Sequence, residues 1–458
     1  MVLSIIQQVL FIAVVGFAGF LVYKRVRFIA RNINLGQSDK RDGNRPERLK
    51  KMLLLAFGQK KMFDKPLVGL MHFVLYVGFV LINIEILEII LDGILGTHRL
   101  FAPALGDFFY PLLINFFEIL AFLVLAVCIV FLGRRNLNLV ERFKRPEMKG
   151  WPALDANIIL IWEIALMMAL FTMNATDSIL QQRAPESTYV AEHFPAVGQF
   201  AISQFLIPVY NGLSTGALLA VERVAWWVHI IGILAFAVYI TYSKHLHIAL
   251  AFPNTYFSDL QPKGEMKNME SVTTEVKIML GMTNGSGDEQ PPAEEEIGTF
   301  GAKDVTDLTW KNLMDAYTCT ECGRCTAACP ANITGKKLSP RKIMMDTRDR
   351  LEEVGYNLDK QGKDHEDGKA LYGDYTTKEE LMACTNCNAC VEACPVGINP
   401  LDIILQQRRY IAMEESSTPP AWNNMFSNIE NNQAPWAFPP TDRFKWAEDL
   451  KKKEQPES

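Results

Sequence analysis

The sequence predicts an all-α protein, in which a five-helix transmembrane bundle is followed by a smaller, cytoplasmic, α-helical domain. The first of three observations is that apolar residues are concentrated in about the first 250 of the 458 residues. The second is that this part contains five apolar stretches, each long enough to cross about 30 Å of hydrocarbon as a helix. The third is that eight of the nine cysteines lie in the polar remainder, between segments with a helical pattern. The apolar stretches are, roughly, 3–23, 67–90, 109–132, 158–180 and 218–249.

Basic residues predict the orientation of the bundle. The first and third connections are rich in lysine and arginine, whereas the second and fourth have little beyond Arg99 and Arg183. Because loops rich in basic residues stay on the cytoplasmic side, we expect the N-terminus outside and the C-terminus inside. Positive charge follows the first apolar stretch at Lys24 and does not precede it, so we expect this span to be retained and not cleaved as a signal peptide. The predicted location is the inner (cytoplasmic) cell membrane, with several spans.

Composition divides the chain into four predicted regions. Residues 1–252 form the five-span membrane domain, and residues 253–303 form an amphipathic and acidic linker that includes NGSGDEQPPAEEEIG at 284–298. Residues 304–415 form the cysteine-bearing domain, with an inserted surface loop at 355–377. Residues 416–458 form an extended tail whose aromatic side chains, Trp422, Trp436, Phe438 and Trp446, favour either a docking strip for a partner or a disordered tail.

Two cysteine runs carry the most specific signal. Each has the spacing Cys-x2-Cys-x2-Cys-x3-Cys-Pro, which is the signature of a protein with two [4Fe–4S] clusters. In that pattern the fourth cysteine binds the other cluster. One cluster is therefore predicted on Cys319, Cys322, Cys325 and Cys394, and the second on Cys384, Cys387, Cys390 and Cys329.

A zinc site or disulfides would be the alternative interpretation of these cysteines. Zinc motifs usually offer pairs of Cys-x2-Cys and not a third equally spaced thiol, and a reducing cytoplasm keeps thiols from forming disulfides. The spacing and the predicted compartment thus both favour clusters. Cys128 lies alone in the third apolar stretch, where we expect it only to pack.

Histidines inside the apolar stretches are the second signal, because ionisable groups in a membrane usually have a function. His229 and His247 are 18 residues apart, which is five helical turns, so both are predicted on one face of the fifth helix, with His245 pointing nearly the other way. His72 is predicted at the same depth as His247. The two are predicted axial ligands of a b-type haem. The alternative is a pair of hydrogen-bonded membrane histidines without a cofactor.

A second haem is less well supported by the pattern. His229 has Ile82 and not a histidine opposite it on the second span, so a second haem would need another ligand.

Glu85, Glu118 and Glu163 are candidates either to accept a proton from a quinone substrate or to make polar contacts in the bundle. No P-loop, dinucleotide fingerprint or nucleophile elbow occurs, and the net charge of −5 argues against nucleic acid as a partner.

The membrane half resembles the cytochrome b (gamma) subunit of respiratory nitrate reductase. That family has a five-span fold with ligand histidines on the second and fifth helices, which His72, His229 and His247 match. The family has another histidine about three turns along the second helix, where this chain has Ile82. The resemblance therefore implies one haem b with His72 and His247, and leaves the second haem at His229 without its partner.

The whole chain resembles membrane iron–sulfur oxidoreductases of the electron-transfer-flavoprotein-associated and heterodisulfide reductase-like type. The matching segments are YSKHLHI at 242–248, YTCTECGRCTAACPANITGKKLSPRKI at 317–343 and ACTNCNACVEACPVGI at 383–398. In those relatives a segment similar to residues 429–450 precedes a cysteine-rich domain with CCG motifs. Here the sequence ends at Ser458, so the resemblance implies that this unit is a separate polypeptide bound through the tail.

The predicted function is that of a membrane-anchored electron-transfer subunit of a quinone-linked oxidoreductase. Electrons would pass through the two clusters and the haem between a cytoplasmic partner, either electron-transfer flavoprotein or the CCG-type cysteine-rich polypeptide, and menaquinone. Whether the chain is itself an enzyme stays open, as does the direction of electron flow. The alternatives are a subunit of a thiol–disulfide reductase and a membrane redox sensor.

Overall fold

The computed structural model describes residues 2–137, 139–262, 264–282, 299–363 and 365–454. The acidic part of the predicted linker, 284–298, and the last four residues of the predicted tail lie outside the described residues. The α-helices of the first part are α1 (Val2–Ile33), α2 (Arg45–Met52), α3 (Pro66–Leu95), α4 (Ala102–Asn136), α5 (Trp151–Gln182), α6 (Thr188–His193), α7 (Ile207–Tyr210), α8 (Thr215–Ile240) and α9 (His247–Tyr256).

Five of these helices, α1, α3, α4, α5 and α8, are long and apolar enough to cross a membrane. The prediction of a mainly helical chain with five such helices is confirmed. They form a bundle in which α5 packs against α4 and α8, α3 against α4, and α1 against α3 and α8. Glycines allow the close approach of neighbouring helices, because a Cβ atom at Gly78 would lie 2.4 Å from Val124 and one at Gly232 would lie 2.7 Å from Leu166.

The fifth apolar stretch is not one helix, and the prediction that His229 and His247 share a helix face is wrong. α8 ends at Ile240, and Ser243 has an extended backbone with φ −110° and ψ 159°. The Ser243 hydroxyl accepts a hydrogen bond of 3.0 Å from the backbone N–H of His245, an alternative to helical bonding that serine readily offers. A short 3-10 turn follows, and α9 begins at His247.

The second part of the chain is built from short helices around one long one. They are α10 (Glu270–Met279), α11 (Trp310–Thr318), α12 (Arg324–Ala328), α13 (Pro330–Ile333), α14 (Pro340–Gln361), α15 (Lys378–Met382), α16 (Ala389–Ala393), α17 (Pro400–Met413), α18 (Pro420–Asn432) and α19 (Lys445–Glu454). Among the described residues, β-structure is limited to two isolated bridges, Gln37 with Thr309 and Tyr372 with Thr376. Cys319, Cys329 and Cys394 belong to the apolar core that these helices share.

Two elements of this part differ from the prediction. The inserted loop does not begin at Gly355, because α14 continues to Gln361. Gly355 lies inside the helix against Asn32, and a Cβ atom there would come within 2.3 Å of the Asn32 amide nitrogen. The tail is not simply extended, since α18 and α19 lie within it.

The C-terminal extension of α1 holds the cysteine-bearing part to the bundle. The first apolar stretch was predicted to end near residue 23, but α1 runs to Ile33 and its last turns contact α11 and α14. Arg25 forms a 2.7 Å ion pair with Glu352, and the Asn32 amide donates a 3.0 Å hydrogen bond to the Tyr317 hydroxyl. α9 crosses the predicted boundary at residue 252 and also packs against α11. The division into four regions stays a prediction.

A second set of contacts holds the segment between α4 and α5 against the start of α14. Arg341 is fully buried and donates a 2.7 Å hydrogen bond to Glu147 and a 2.9 Å hydrogen bond to the Arg142 carbonyl. The Ser339 hydroxyl donates a further hydrogen bond of 2.8 Å to the same Glu147 oxygen. Burial disfavours the charged form of Glu147, but the hydrogen bonds from Arg341 and Ser339 hold the pKa of its carboxyl below the usual range.

We expect Glu147→Gln to lower the free energy of unfolding by about 1.5–3 kcal/mol at neutral pH, which is the usual contribution of hydrogen bonds to a charged group. Because the pKa is lower in the folded protein, this stabilisation is complete above the unfolded carboxyl pKa of about 4.3 and is lost as the pH falls through the folded pKa. Thermal unfolding in detergent at several pH values measures the difference between the two proteins. Glu141→Gln is the control, since Glu141 is 78% exposed and pairs only with Lys144. An equal loss of unfolding free energy in both variants would contradict a stabilising role of the hydrogen bonds to Glu147.

Candidate iron–sulfur and haem site

The two cysteine runs fold into matching loops. Residues Glu321 and Asn386, each between the first and second cysteine of its run, have φ values of 55° and 56°. Gly323 and Asn388, each after the second cysteine, have φ values of 70° and 59°. These left-handed residues turn the chain sharply, and the helices that follow, α12 and α16, pack against each other. The two loops are therefore related by an internal pseudo-symmetry.

The cysteines approach one another in two mixed sets. Cys325 interacts electrostatically with Cys319, Cys322 and Cys394, and its interaction with Cys390 is weaker than these three. Cys390 interacts with Cys384, Cys329 and Cys387. The fourth cysteine of each run thus lies beside the first three of the other run, as the crossed ligation requires. The ligand assignment itself stays a prediction, and this grouping supports it.

Several of the cysteines are buried, and within the described part of the chain they are not grouped for a single metal ion. Burial raises the pKa of the Cys319 thiol to about 12 and that of the Cys394 thiol to about 11, so neither ionises near neutral pH unless a metal displaces its proton. Among the described residues, no three His, Cys, Asp or Glu side chains are close enough together to hold a single metal ion. The four ligands of a [4Fe–4S] cluster surround a larger object and stand further apart than those of one zinc ion.

Basic side chains surround both sets, and the sequence pattern did not identify them. The Arg142 guanidinium donates a 2.7 Å hydrogen bond to the Cys322 carbonyl, and the Arg408 guanidinium donates one of 2.7 Å to the Cys384 carbonyl. The Lys61 ammonium lies 3.3 Å from the Cys394 carbonyl. Positive charge at this distance favours the more negative, reduced state of a cluster and raises its potential. Only the fold brings these distant residues to the cysteines.

A cavity of about 480 Å³ lies inside the bundle and reaches the cysteine-bearing part. Most of its lining is apolar, but four histidines also line it: His72, His229, His245 and His247. At one end it is bounded by Cys322 and by Pro395, the residue after Cys394, together with Arg135, Arg142 and Arg324. The histidines and residues of both cysteine loops therefore line the same cavity.

His72 and His247 meet across this cavity, as predicted from their depth. Their ring centres are 6.4 Å apart. An iron bound between two imidazole nitrogens, at about 2 Å from each, would hold the ring centres about 6–6.5 Å apart. Nδ1 of His72 is 2.9 Å from the Gln59 side-chain oxygen, and Nδ1 of His247 is 3.1 Å from the Lys244 carbonyl. Both rings thus use Nδ1 as the donor and keep Nε2 free, which is the usual arrangement of metal-binding histidines. The pair fits a b-type haem.

The other two histidines have different surroundings. The prediction that His245 points away from His247 is wrong. His245 lines the same cavity, and its ring centre is 5.5 Å from that of His247. Its ring nitrogens make no hydrogen bond to another described residue. Nδ1 of His229 is 3.0 Å from the Leu166 carbonyl, so its Nε2 is free as well. Ile82 and Asn83 also line the cavity, and neither residue type is an iron ligand of haem proteins.

The three glutamates of the bundle have three different environments. Glu118 accepts hydrogen bonds from the Ser203 hydroxyl, from the backbone N–H groups of Ile202 and Ser203 and from Asn174, so it makes polar contacts. The segment that donates to Glu118 forms the 3-10 turn Ser203–Leu206, which is followed by α7. Glu85 lies 4.0 Å from the Arg99 guanidinium and has one oxygen without a hydrogen bond. Of the three, Glu163 alone lines the cavity.

Lys244 connects the His72–His247 pair with the first cysteine loop through a hydrogen bond and an ion pair. The Lys244 carbonyl binds His247, and the Lys244 ammonium forms an ion pair with Glu321, which lies between Cys319 and Cys322. Arg348 binds the other Glu321 oxygen at 2.8 Å. Burial opposes ionisation of Glu321, but Arg348 and Lys244 hold its pKa below the usual range. The only sequence signal for this connection was a charged residue inside a Cys-x2-Cys spacer.

Comparison with known proteins agrees with the cysteine geometry. Residues 318–398 match the family model of the 4Fe–4S dicluster domain. The chain carries a 4Fe–4S dicluster domain. All eight cysteines of the two runs lie within this match.

The relatives are iron–sulfur oxidoreductases. The chain is 27% identical to "Probable iron-sulfur-binding oxidoreductase FadF" of Bacillus subtilis, over 99% of this chain and 62% of that protein. It is 26% identical to "EtfAB:quinone oxidoreductase" of Syntrophomonas wolfei, over 88% of this chain and 54% of that protein. The chain thus spans less than two thirds of the length of either relative.

A third similarity covers a shorter segment of the chain. It is to one of the subunits of the ferredoxin/F(420)H(2)-dependent CoB-CoM heterodisulfide reductase of Methanosarcina acetivorans, at 33% identity over 22% of this chain and 49% of that protein. No solved structure matches the chain. Together the comparisons and the five apolar helices relate the chain to membrane-associated iron–sulfur oxidoreductases.

Proposed function

We propose that this protein passes electrons between a cytoplasmic redox partner and the membrane quinone pool, through two [4Fe–4S] clusters and one haem b. The observation that carries the proposal is the single cavity that joins the His72–His247 pair to both cysteine runs. Cofactors at these positions would be neighbours, so electrons would need no moving carrier inside the protein. The quinone in our proposal is menaquinone.

The proposed haem site has three supporting features. The ring centres of His72 and His247 are 6.4 Å apart, and each ring uses Nδ1 for its hydrogen bond and leaves Nε2 free. The cavity walls are largely apolar, which suits a macrocycle held between helices. Arg135, Arg142 and Arg324 at one end supply positive charge for the two carboxylates of a b-type haem. When bound, the haem would supply a one-electron couple between the two-electron quinone and the clusters.

The orientation in the membrane is part of the proposal. The cysteine-bearing part packs on the end of the bundle that carries the basic connections, through Arg25 of α1 and Glu147 of the α4–α5 connection. Because basic connections stay in the cytoplasm, the clusters would face the cytoplasm and its soluble redox proteins.

The partner would dock on the tail. α18, α19 and the segment between them expose large side chains, among them Phe426, Trp436, Phe438, Phe444 and Trp446, each at least 49% exposed. Aromatic residues are enriched in the buried centres of protein interfaces, and a cluster of them in water is unfavourable. We propose a CCG-type cysteine-rich subunit as the occupant, with electron-transfer flavoprotein as the more distant donor.

A second candidate function is favoured by the similarity to the heterodisulfide reductase of Methanosarcina acetivorans. In that case the partner would reduce a disulfide, and electrons would flow from quinol towards the clusters. A redox sensor is a third candidate, which would not exchange electrons with quinone at a catalytic rate.

The deciding experiment is anaerobic mixing of the purified protein with menadiol, the reduced form of menadione, while haem and cluster absorption are followed separately. We expect menadiol to reduce the haem no more slowly than the protein turns over menadiol in the steady state. The clusters should then be reduced to the extent that their potentials allow. Dithionite reduction defines the full amplitude of each signal. If dithionite reduces all cofactors but neither menadiol nor menadione exchanges electrons with them, the proposed function is wrong and the sensor is favoured.

A further inference from the structure

The part of the cavity beyond the His72–His247 pair contains two polar groups with free hydrogen-bonding capacity. One is the Nε2 atom of His229, left free because Nδ1 faces the Leu166 carbonyl at 3.0 Å. The other is the carboxyl group of Glu163, which makes no hydrogen bond or ion pair with another described residue. Both line the cavity. An unpartnered carboxylate in an apolar space is costly unless it takes up a proton or a ligand satisfies it.

The two groups are close to each other along the bundle. Glu163 and Leu166 are three residues apart on α5, which corresponds to about 4.5 Å along the helix axis. Since His229 is bonded to Leu166, its ring lies within about one helical turn of Glu163. The lining of the cavity is mostly apolar and includes Leu160, Met167 and Ile233. An apolar space with a few polar groups is typical of small-molecule sites.

We propose that this half of the cavity is a binding site for the aromatic ring of a quinol. His229 Nε2 accepts a hydrogen bond from one ring hydroxyl, and the Glu163 carboxyl group bonds to the other hydroxyl. The inference rests on the proposed function and adds to it the location of the quinone site. It also assigns His229 to the quinol instead of a second haem, because Ile82 and Asn83 of α3 offer no iron ligand in this part of the cavity.

The chemistry of the two groups favours the reduced ring. With Nδ1 as its donor, His229 presents only an acceptor at Nε2, whereas a carboxyl group accepts when it is ionised and can also donate when it is protonated. A quinol offers two hydroxyl groups, which satisfy both His229 and Glu163. A quinone offers two carbonyl acceptors, so it leaves His229 Nε2 without a donor whichever form Glu163 has. The site therefore predicts tighter binding of quinol than of quinone by the same protein.

The test is anaerobic equilibrium dialysis of menadiol and of menadione against the intact, cofactor-loaded protein. Wild type should bind menadiol at least about tenfold more tightly than menadione, and Glu163→Leu and His229→Phe should each weaken menadiol binding about tenfold or more. Glu163→Asp should retain part of the affinity. Haem and iron contents should be unchanged in every variant. Glu192→Gln is the control, because Glu192 is exposed and does not line the cavity.

Several outcomes would overturn the inference. Loss of a haem in His229→Phe would make His229 an iron ligand, and unchanged menadiol binding in both variants would place the quinol elsewhere. Tighter binding of menadione than of menadiol by wild type would contradict a site whose His229 Nε2 accepts from the ring, without the use of any variant. If wild type neither binds nor oxidises menadiol, the proposed function fails. If wild type oxidises menadiol and the cavity variants do so equally well, only the location of the site fails.

Discussion

Replacement of Cys329 by serine should remove the cluster whose other ligands are Cys384, Cys387 and Cys390, and should spare the one nearer in sequence. The iron content should fall from about eight atoms per chain to about four. The physical reason is that Cys329 lies beside Cys390 and Cys384, so its loss opens the second set. Iron and sulfide analysis of anaerobically purified protein, with electron paramagnetic resonance of the reduced state, measures the effect.

Double variants identify which cluster is lost. If Cys329 and Cys387 serve the same cluster, the variant with both replaced by serine should lose no more iron than either single variant. Cys329→Ser combined with Cys322→Ser should lose both clusters. Cys128→Ser is the matched control, since Cys128 is buried in α4 away from the cysteine-bearing part. The reverse pattern, with additive loss only in the Cys329 and Cys387 pair, would refute the crossed ligation.

His72→Ala should abolish the haem while leaving both clusters in place. His72 and His247 are proposed to supply one axial bond each, and an axial nitrogen cannot be replaced by a methyl group. The haem absorption spectrum and the haem-to-iron ratio of the purified variant measure the loss. His193→Ala is the control, because His193 is an exposed residue that stacks on Tyr189 outside the cavity.

Variants of the neighbouring groups separate ligands from positioning residues. Gln59→Leu should retain the haem with an altered potential, since Gln59 is the hydrogen-bond partner of His72 Nδ1. His245→Ala should also retain the haem, because His245 has no described partner for its ring nitrogens. A haem retained in His247→Ala but lost in His245→Ala would make His245 the ligand. An unchanged bis-histidine spectrum in His72→Ala would show that the pairing is wrong.

The local patterns of the sequence predicted much of this organisation. Hydropathy identified the five apolar helices, since each needs only enough apolar residues to span the bilayer. The cysteine spacing identified the dicluster domain, because ligands close together in sequence wrap one cluster whatever the rest of the fold does. The depth of His72 and His247 also followed from the apolar stretches, and the structure brings their rings together.

Other features depended on contacts that a local pattern does not contain. The break after Ile240 was missed because the apolar composition continues to residue 249, while the Ser243 hydrogen bond that supports the break is polar and local. The end of α14 was misplaced because Gly355, usually a sign of a loop, is required here for close contact with Asn32. Exposed aromatic residues in the tail were foreseen, but the helices that carry them were not.

By itself, the sequence determined that this protein joins apolar membrane helices to a domain with two iron–sulfur clusters, because both depend on short-range composition and spacing. The tertiary structure alone decided how the halves meet. It placed the end of α1 and the α4–α5 connection on the cysteine-bearing part, linked Lys244 to Glu321, and put Glu163 and His229 in one cavity. These pairs are far apart in the chain, and they come together because helix packing and buried charge pairing select one arrangement of the bundle.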